Sequence, residues 1–271
     1  MINKGNKAIF SNFVSDHNLK FNYIDVGARG DVISPWNELE KKSLIVGFEP
    51  DMLESERLGK IFNNRKYFNI ALWSRKTSRQ VYINEWESTS SMYPPNSGFI
   101  SKFEPQHWKG RTPKTTNEVQ CDTLDSVLIS ENITPDFIKI DTQGAEFEIL
   151  KGSEDILNNG FPMVTCETWC AEVYEGAPMM HEIIDYMDSL GYSVFDMELA
   201  AAWNYDIKEN IRFRSKRQSI GYEVLFVKNF KHIHITNENS FLKLLLLLEL
   251  YGHRDYALFL LDNFKDVIND D

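Results

Sequence analysis

Cysteine is scarce in this chain. Three cysteines in 271 residues, Cys121, Cys166 and Cys170, do not make the framework of a disulfide-stapled fold. Cys166 and Cys170 are four apart, and no further Cys or His follows at zinc-finger spacing, which argues against a structural zinc site. Long apolar runs are also missing. The most apolar window, 241–250, is interrupted by Lys243 and Glu249 and is too short to span a bilayer. The opening segment, MINKGNKAIFSNFVSDHN, lacks the apolar core of a secretory signal. Positive charge is short as well: 29 Lys and Arg face 40 Asp and Glu, a net charge of −11. Unassisted binding to nucleic acid or to an anionic membrane is therefore not expected, although Arg212, Arg214, Lys216 and Arg217 form a local basic patch. A reducing, cytoplasmic setting is the expectation.

What is present is the composition of a globular protein, 42% hydrophobic and 25% charged. Short apolar strands are expected at 23–26, 44–48, 66–72, 137–140, 163–166, 192–195 and 222–227, with another at 80–84 outside the main alternation. Helical spacing falls at about 7–18, 52–63, 123–131, 145–157, 179–190 and 241–266. Alternating strand and helix predicts a parallel sheet covered on both faces. No clear helix separates the last two strands, so they are expected to pair antiparallel. The stretch 85–118 is rich in Ser, Pro, Asn and aromatics and only weakly periodic, which suits a lid-like insertion. The organisation expected is a main domain at 1–235 and a C-terminal helical extension at 236–271. The run Leu244–Leu248 is apolar around the whole helix, so part of it must be buried, against the core or against a second copy in a homo-oligomer.

Two strand ends carry chemistry. After the first strand comes Asp25-Val26-Gly27-Ala28-Arg29-Gly30-Asp31, a turn whose glycines let the backbone approach a ligand closely. About twenty residues on, Glu49 ends the second strand ahead of Pro50, where an acid can accept both ribose hydroxyls of a nucleoside. The turn is not GxGxxG, and Asp31 would repel a pyrophosphate. S-adenosylmethionine fits better, with Asp25 toward its cationic end and the turn amides and Arg29 toward its carboxylate. The other strand end is FIKIDTQGAEFEILKG at 137–152. There an apolar run stops at Asp141, a turn follows, and apolar residues resume at helical spacing. A carboxylate at a strand's carboxyl end is well placed for ligand chemistry.

These motifs resemble the FkbM-type family of S-adenosylmethionine-dependent methyltransferases. The resemblance covers roughly residues 22–230 and rests on YIDVGARGD, VGFEPD, NIALWS, TLDSVL and, above all, FIKIDTQGAEFEILKG. It implies the Rossmann-like class I methyltransferase fold, a mostly parallel seven-stranded sheet with a final antiparallel strand. It also implies a cofactor site drawn from Asp25, Gly27, Ala28, Arg29, Gly30, Glu49, Pro50, Ala71, Leu72 and Asp141. The implied reaction is O-methylation of a sugar, glycoconjugate or polyketide-type acceptor. Two departures stand out: Gln143 where the family usually has Glu, and Arg29 where Asn is commoner.

Methyl transfer to an alcohol needs a general base or a metal ion, because the hydroxyl is a poor nucleophile at neutral pH. Asp141 and Glu167 end consecutive strands and should emerge side by side, as a base assisted by His181 or as ligands for a cation such as Mg²⁺. Trp169, His107 and Trp108 are candidates to stack on a sugar ring. Two other readings compete. A nicotinamide-dependent oxidoreductase would use the same glycine turn, and a catalytically degenerate domain would bind partners through its C-terminal helix.

Overall fold

Alternation of side chains about the strands explains why both faces of the sheet are covered. In a computed structural model, residues 19–207 and 216–268 are described. The helix expected at 7–18, Arg212 and Arg214 lie outside them. The strands are β1 (Phe21–Val26), β2 (Ser43–Phe48), β3 (Arg65–Phe68), β4 (Ala71–Leu72) and β5 (Thr77–Asn84), then β6 (Pro113–Asp122), β7 (Phe137–Ile140), β8 (Met163–Trp169), β9 (Tyr192–Trp203) and β10 (Gln218–Lys228). Ile24, Val26, Val46, Ile138, Ile140 and Val164 point into one apolar cluster. Phe21, Tyr23, Ile45, Phe137 and Met163 point into the opposite one, as the two-residue period of a strand requires.

Seven strands form one sheet in the order β3-β2-β1-β7-β8-β10-β9. β1 pairs in parallel with β2 on one side and β7 on the other, and β2–β3 and β7–β8 are parallel too. β10 runs antiparallel to both β8 and β9. A parallel sheet whose last strand in sequence is reversed is the Rossmann-like class I methyltransferase architecture. Strand order turns outward in both directions from the β1–β7 pair, and ligands bind at such a switch point.

The expected elements needed four revisions. The strand at 66–72 divides: β3 ends at Phe68, and β4 leaves the main sheet to pair with β6. Asn69 marks the break, its Nδ2 donating to the Pro50 carbonyl at 2.8 Å. β6 occupies part of the stretch expected to be lid-like and completes a separate three-stranded sheet with β4 and β5. The helix expected at 145–157 is two, Glu146–Lys151 and Glu154–Asn159. A Cβ on Gly152 would lie 2.3 Å from the Trp73 carbonyl oxygen, so the chain bends here in tight contact with the segment after β4.

The long C-terminal helix is also two, Glu238–Leu250 and Arg254–Ile268, broken at Gly252 with φ +92°. Phe241, Leu244, Leu246, Leu247, Leu248 and Leu250 are buried in the cluster that holds Phe21, Tyr23 and Phe137. Each such burial stabilises by roughly 1.5–3 kcal/mol, so this helix is a lid on the sheet's own core. No helix among the described residues is long and apolar enough to cross a membrane.

Candidate active site

The switch point opens into a cavity of about 480 Å³. Its floor is the turn after β1, where Gly27 has φ +78° and a Cβ would meet the Asp141 carbonyl oxygen at 1.9 Å. One wall is Phe48, Glu49, Pro50 and Asp51; Ile70, Ala71 and Leu72 add an apolar strip. The opposite side is Asp141, Thr142 and Gln143. The 85–118 insertion closes the cavity with residues that include Glu87, Ser91, Met92 and Asn117.

Glu49 is only 5% exposed, yet it lines the cavity. Its Oε1 accepts the Asp51 amide at 2.8 Å. Burial raises its pKa, opposed by that hydrogen bond and by Arg29. Arg29 donates to Asp51 at 2.7 Å and to Glu87 at 2.6 Å, so the turn after β1 is tied to the insertion. Asp31, by contrast, pairs with Arg65.

Several expected cofactor contacts are engaged elsewhere. Asp25 does not line the cavity; it is 5% exposed and lies 3.3 Å from Lys139 Nζ. Burial raises the Asp25 pKa, with Lys139 pulling it back. The amides of Gly27 and Ala28 both donate to the Phe48 carbonyl at 3.2 Å, and the Gly30 amide donates to Glu54. Those three amides tie the turn to the end of β2 and to the helix after it. Ala28 and Gly30 are likewise outside the cavity lining, whereas Gly27, Arg29, Glu49, Pro50, Ala71, Leu72 and Asp141 are in it.

The turn after β7 is built by a buried acid. Glu146 accepts the Thr142 amide and the Gly144 amide, each at 2.8 Å, and the Thr142 hydroxyl at 3.1 Å. Burial pushes its pKa up to about 7 against those hydrogen bonds. The side chain of Asp141 remains 41% exposed, 3.8 Å from Lys139 Nζ. Gln143 reaches between the two candidate catalytic carboxylates, donating to Asp141 Oδ1 at 3.0 Å and Glu167 Oε2 at 2.5 Å. Burial and the neighbouring Asp141 charge hold the Glu167 carboxyl well above its ordinary range. The two carboxylates share one amide, but Glu167 lies within β8 rather than at its end and does not line the cavity, and an amide rather than a third acid stands with them. Among the described residues no three His, Cys, Asp or Glu gather as a metal-binding set. Mg²⁺ takes oxygen ligands, and here the N–H groups of Gln143 are directed into both carboxylates instead.

His181 sits exposed in the first turn of the Met180–Ser189 helix and does not line the cavity. Trp169 belongs to a third apolar cluster with Phe103, Tyr174 and Trp203, Trp108 packs against that cluster, and His107 stacks on Trp203 with centroids 5.9 Å apart. The expected sugar platforms are therefore core that anchors the insertion. Sequence reasoning missed Ser91, Thr142, Gln143 and Asn117 as lining residues. Only Gln143 carried a signal, its departure from the family pattern.

Strand order defines the class of fold, Rossmann-like, with the glycine turn and the acid ending β2 at its switch point. The profile described as "Methyltransferase FkbM domain" matches residues 25–194, and the chain belongs to that family. No curated protein sequence matches it. Among solved structures it is similar to a methyltransferase FkbM from Methylobacillus flagellatus KT, at 12% identity and TM-score 0.41, covering 75% of this chain and 43% of that one. This chain thus spans less than half of that protein. It is also similar to a TehB-like SAM-dependent methyltransferase from Corynebacterium glutamicum, at 10% identity and TM-score 0.38, covering 83% and 88%. A third is the magnesium protoporphyrin IX methyltransferase of Synechocystis with bound SAM, at 8% identity and TM-score 0.40, covering 83% and 79%.

Proposed function

We propose that this chain transfers a methyl group from S-adenosylmethionine to a hydroxyl of a sugar, glycoconjugate or polyketide-type acceptor. The observation that carries this reading is the pair of carboxylates facing one cavity, Glu49 on one wall and Asp141 on the other.

Glu49 supplies acceptors for ribose hydroxyls, and Ile70, Ala71 and Leu72 offer an apolar strip for the base. The bare Cα of Gly27 leaves room where a Cβ would strike the Asp141 carbonyl. Arg29 is the cation for the amino-acid carboxylate and would exchange Asp51 or Glu87 for it. When bound, the cofactor supplies an electrophilic methyl on a sulfonium. Asp141 holds the acceptor hydroxyl and takes its proton as the oxygen–carbon bond forms. Glu167, its pKa raised by burial and by the Asp141 charge, stands beside Asp141 across the Gln143 amide. The insertion at 85–118 closes over the cavity when both ligands are present. Three unpaired cysteines suit the reducing cytoplasm as its setting.

Titration calorimetry with S-adenosylmethionine and with NAD tests this reading. Binding of the first alone is expected. Binding of NAD instead would replace it with the oxidoreductase, and binding of neither would leave an interaction module.

A further inference from the structure

Gln143 is held from four directions in a backbone conformation that a residue with a side chain rarely adopts. Its φ is +59°, followed by Gly144 at φ +117°; a left-handed glutamine persists only where its surroundings fix it. Its backbone carbonyl accepts the Ser91 hydroxyl at 2.6 Å. Its Oε1 lies 2.8 Å from the buried Tyr174 hydroxyl, whose single proton is shared with the Thr89 carbonyl at 2.9 Å. Its Nε2 faces Asp141 Oδ1 and Glu167 Oε2 at once.

We infer that the Gln143 carboxamide takes the place of a divalent cation between Asp141 and Glu167, so that this carboxylate pair is organised without a metal. The assignment to catalysis rests on the methyltransferase reading; the exclusion of a cation does not. A hard cation needs the lone pairs of both carboxylates directed at it. Here those lone pairs receive N–H groups, and the positive end of the amide dipole occupies the approach. The neighbouring acid, Glu146, is turned away to hold the Thr142 and Gly144 amides and adds no ligand. Amide orientation is decisive. Reversed, Oε1 would join the two carboxylate oxygens in a three-oxygen cradle, with Nε2 donating to Tyr174 and Tyr174 to the Thr89 carbonyl. That arrangement gathers three oxygens that only a cation or a shared proton would reconcile, and a cation bound there is what the proposal denies. Gln143 is thus a positioning residue: it spaces the pair and fixes Asp141 Oδ1, leaving Oδ2 toward Lys139.

The test is Mn²⁺ binding, followed by the paramagnetic resonance signal of the free ion, in wild type and in Gln143→Glu. Wild type is expected to show no saturable binding up to about 1 mM, the weak end of biological cation sites. Gln143→Glu, which turns the bridging donor into a third acid, should bind at least about tenfold more tightly, and Mg²⁺ should compete. Wild-type binding that is abolished by Asp141→Asn would overturn the proposal without any need for the glutamate variant to fold. A Gln143→Glu protein that retains the wild-type melting transition and gains no affinity would overturn it as well. Calorimetry with S-adenosylmethionine on the same samples separates the two claims. Failure to bind the cofactor sinks the methyltransferase reading and leaves the cation result standing.

Discussion

Gly27 and Asp141 meet across the switch point so closely that a Cβ on the glycine would fall 1.9 Å from the aspartate's carbonyl oxygen. The contact joins the turns after β1 and β7, and the Asp141 amide adds a 3.0 Å hydrogen bond to the Val26 carbonyl. Gly27→Ala meets both a backbone clash and an unfavourable φ. It should destabilise the protein by about 2 kcal/mol or more and weaken cofactor binding. Chemical denaturation and calorimetry measure the two effects, and an unchanged midpoint would show that the turns can part freely.

Glu49→Ala should weaken S-adenosylmethionine binding by roughly 1–3 kcal/mol, the scale of lost charge-assisted hydrogen bonds. The variant also strands the Asp51 amide that Glu49 accepts, so Glu49→Gln, which keeps an acceptor there, is the better-matched control. An unaltered dissociation constant in both variants would remove Glu49 from the cofactor site.

Asp141→Asn should lower turnover by about 10²-fold or more while cofactor affinity stays within a few-fold. An asparagine oxygen can still accept from Gln143, so the turn is retained and only the base is lost. Turnover equal to wild type would reduce Asp141 to a structural role. Chelation by EDTA should leave wild-type turnover unaffected.

Glu146 makes stability depend on pH. Its folded pKa of about 7 stands above the ordinary 4.5, so the folded state binds the proton more tightly than the unfolded chain. That contribution is fully present below about pH 4.5 and is lost as pH rises toward 7. Asp25, Glu49 and Glu167, all shifted upward by burial, act in the same direction. Urea denaturation between pH 5 and 8 should show stability falling in wild type and falling less in Glu146→Gln. Parallel curves for the two would remove Glu146 as the source.

Residues 85–112 should gain protection from hydrogen exchange when cofactor and acceptor bind. The tie to be rearranged is Arg29 with Glu87, 2.6 Å apart at the cavity rim. Equal exchange with and without ligands would identify a fixed insert.

How much of this was legible beforehand divides along the range of the interactions. The parallel strands could be read because each carries its own apolar run, and the two strand-end acids, Glu49 and Asp141, because a carboxylate breaks such a run abruptly. β6 escaped notice because it is polar on nearly every position. Its pairing with β5 comes from backbone hydrogen bonds that leave no apolar alternation. The helix breaks at Gly152 and Gly252 were present as glycines; contact with the Trp73 carbonyl made the first a break, and a positive φ in open space the second. Trp169 was available equally to a ligand or a core, and packing with Phe103 and Tyr174 decided for the core.

By itself, the sequence determined the class of fold, the family and the acids that follow β2 and β7, since local periodicity and short motifs encode these through nearby residues. The tertiary structure alone decided which polar groups face the cavity. Asp25 was drawn to Lys139, the turn amides to Phe48 and Glu54, and Gln143 to the gap between Asp141 and Glu167. A buried polar group must find a partner, and those partners lie as far as 114 residues away along the chain.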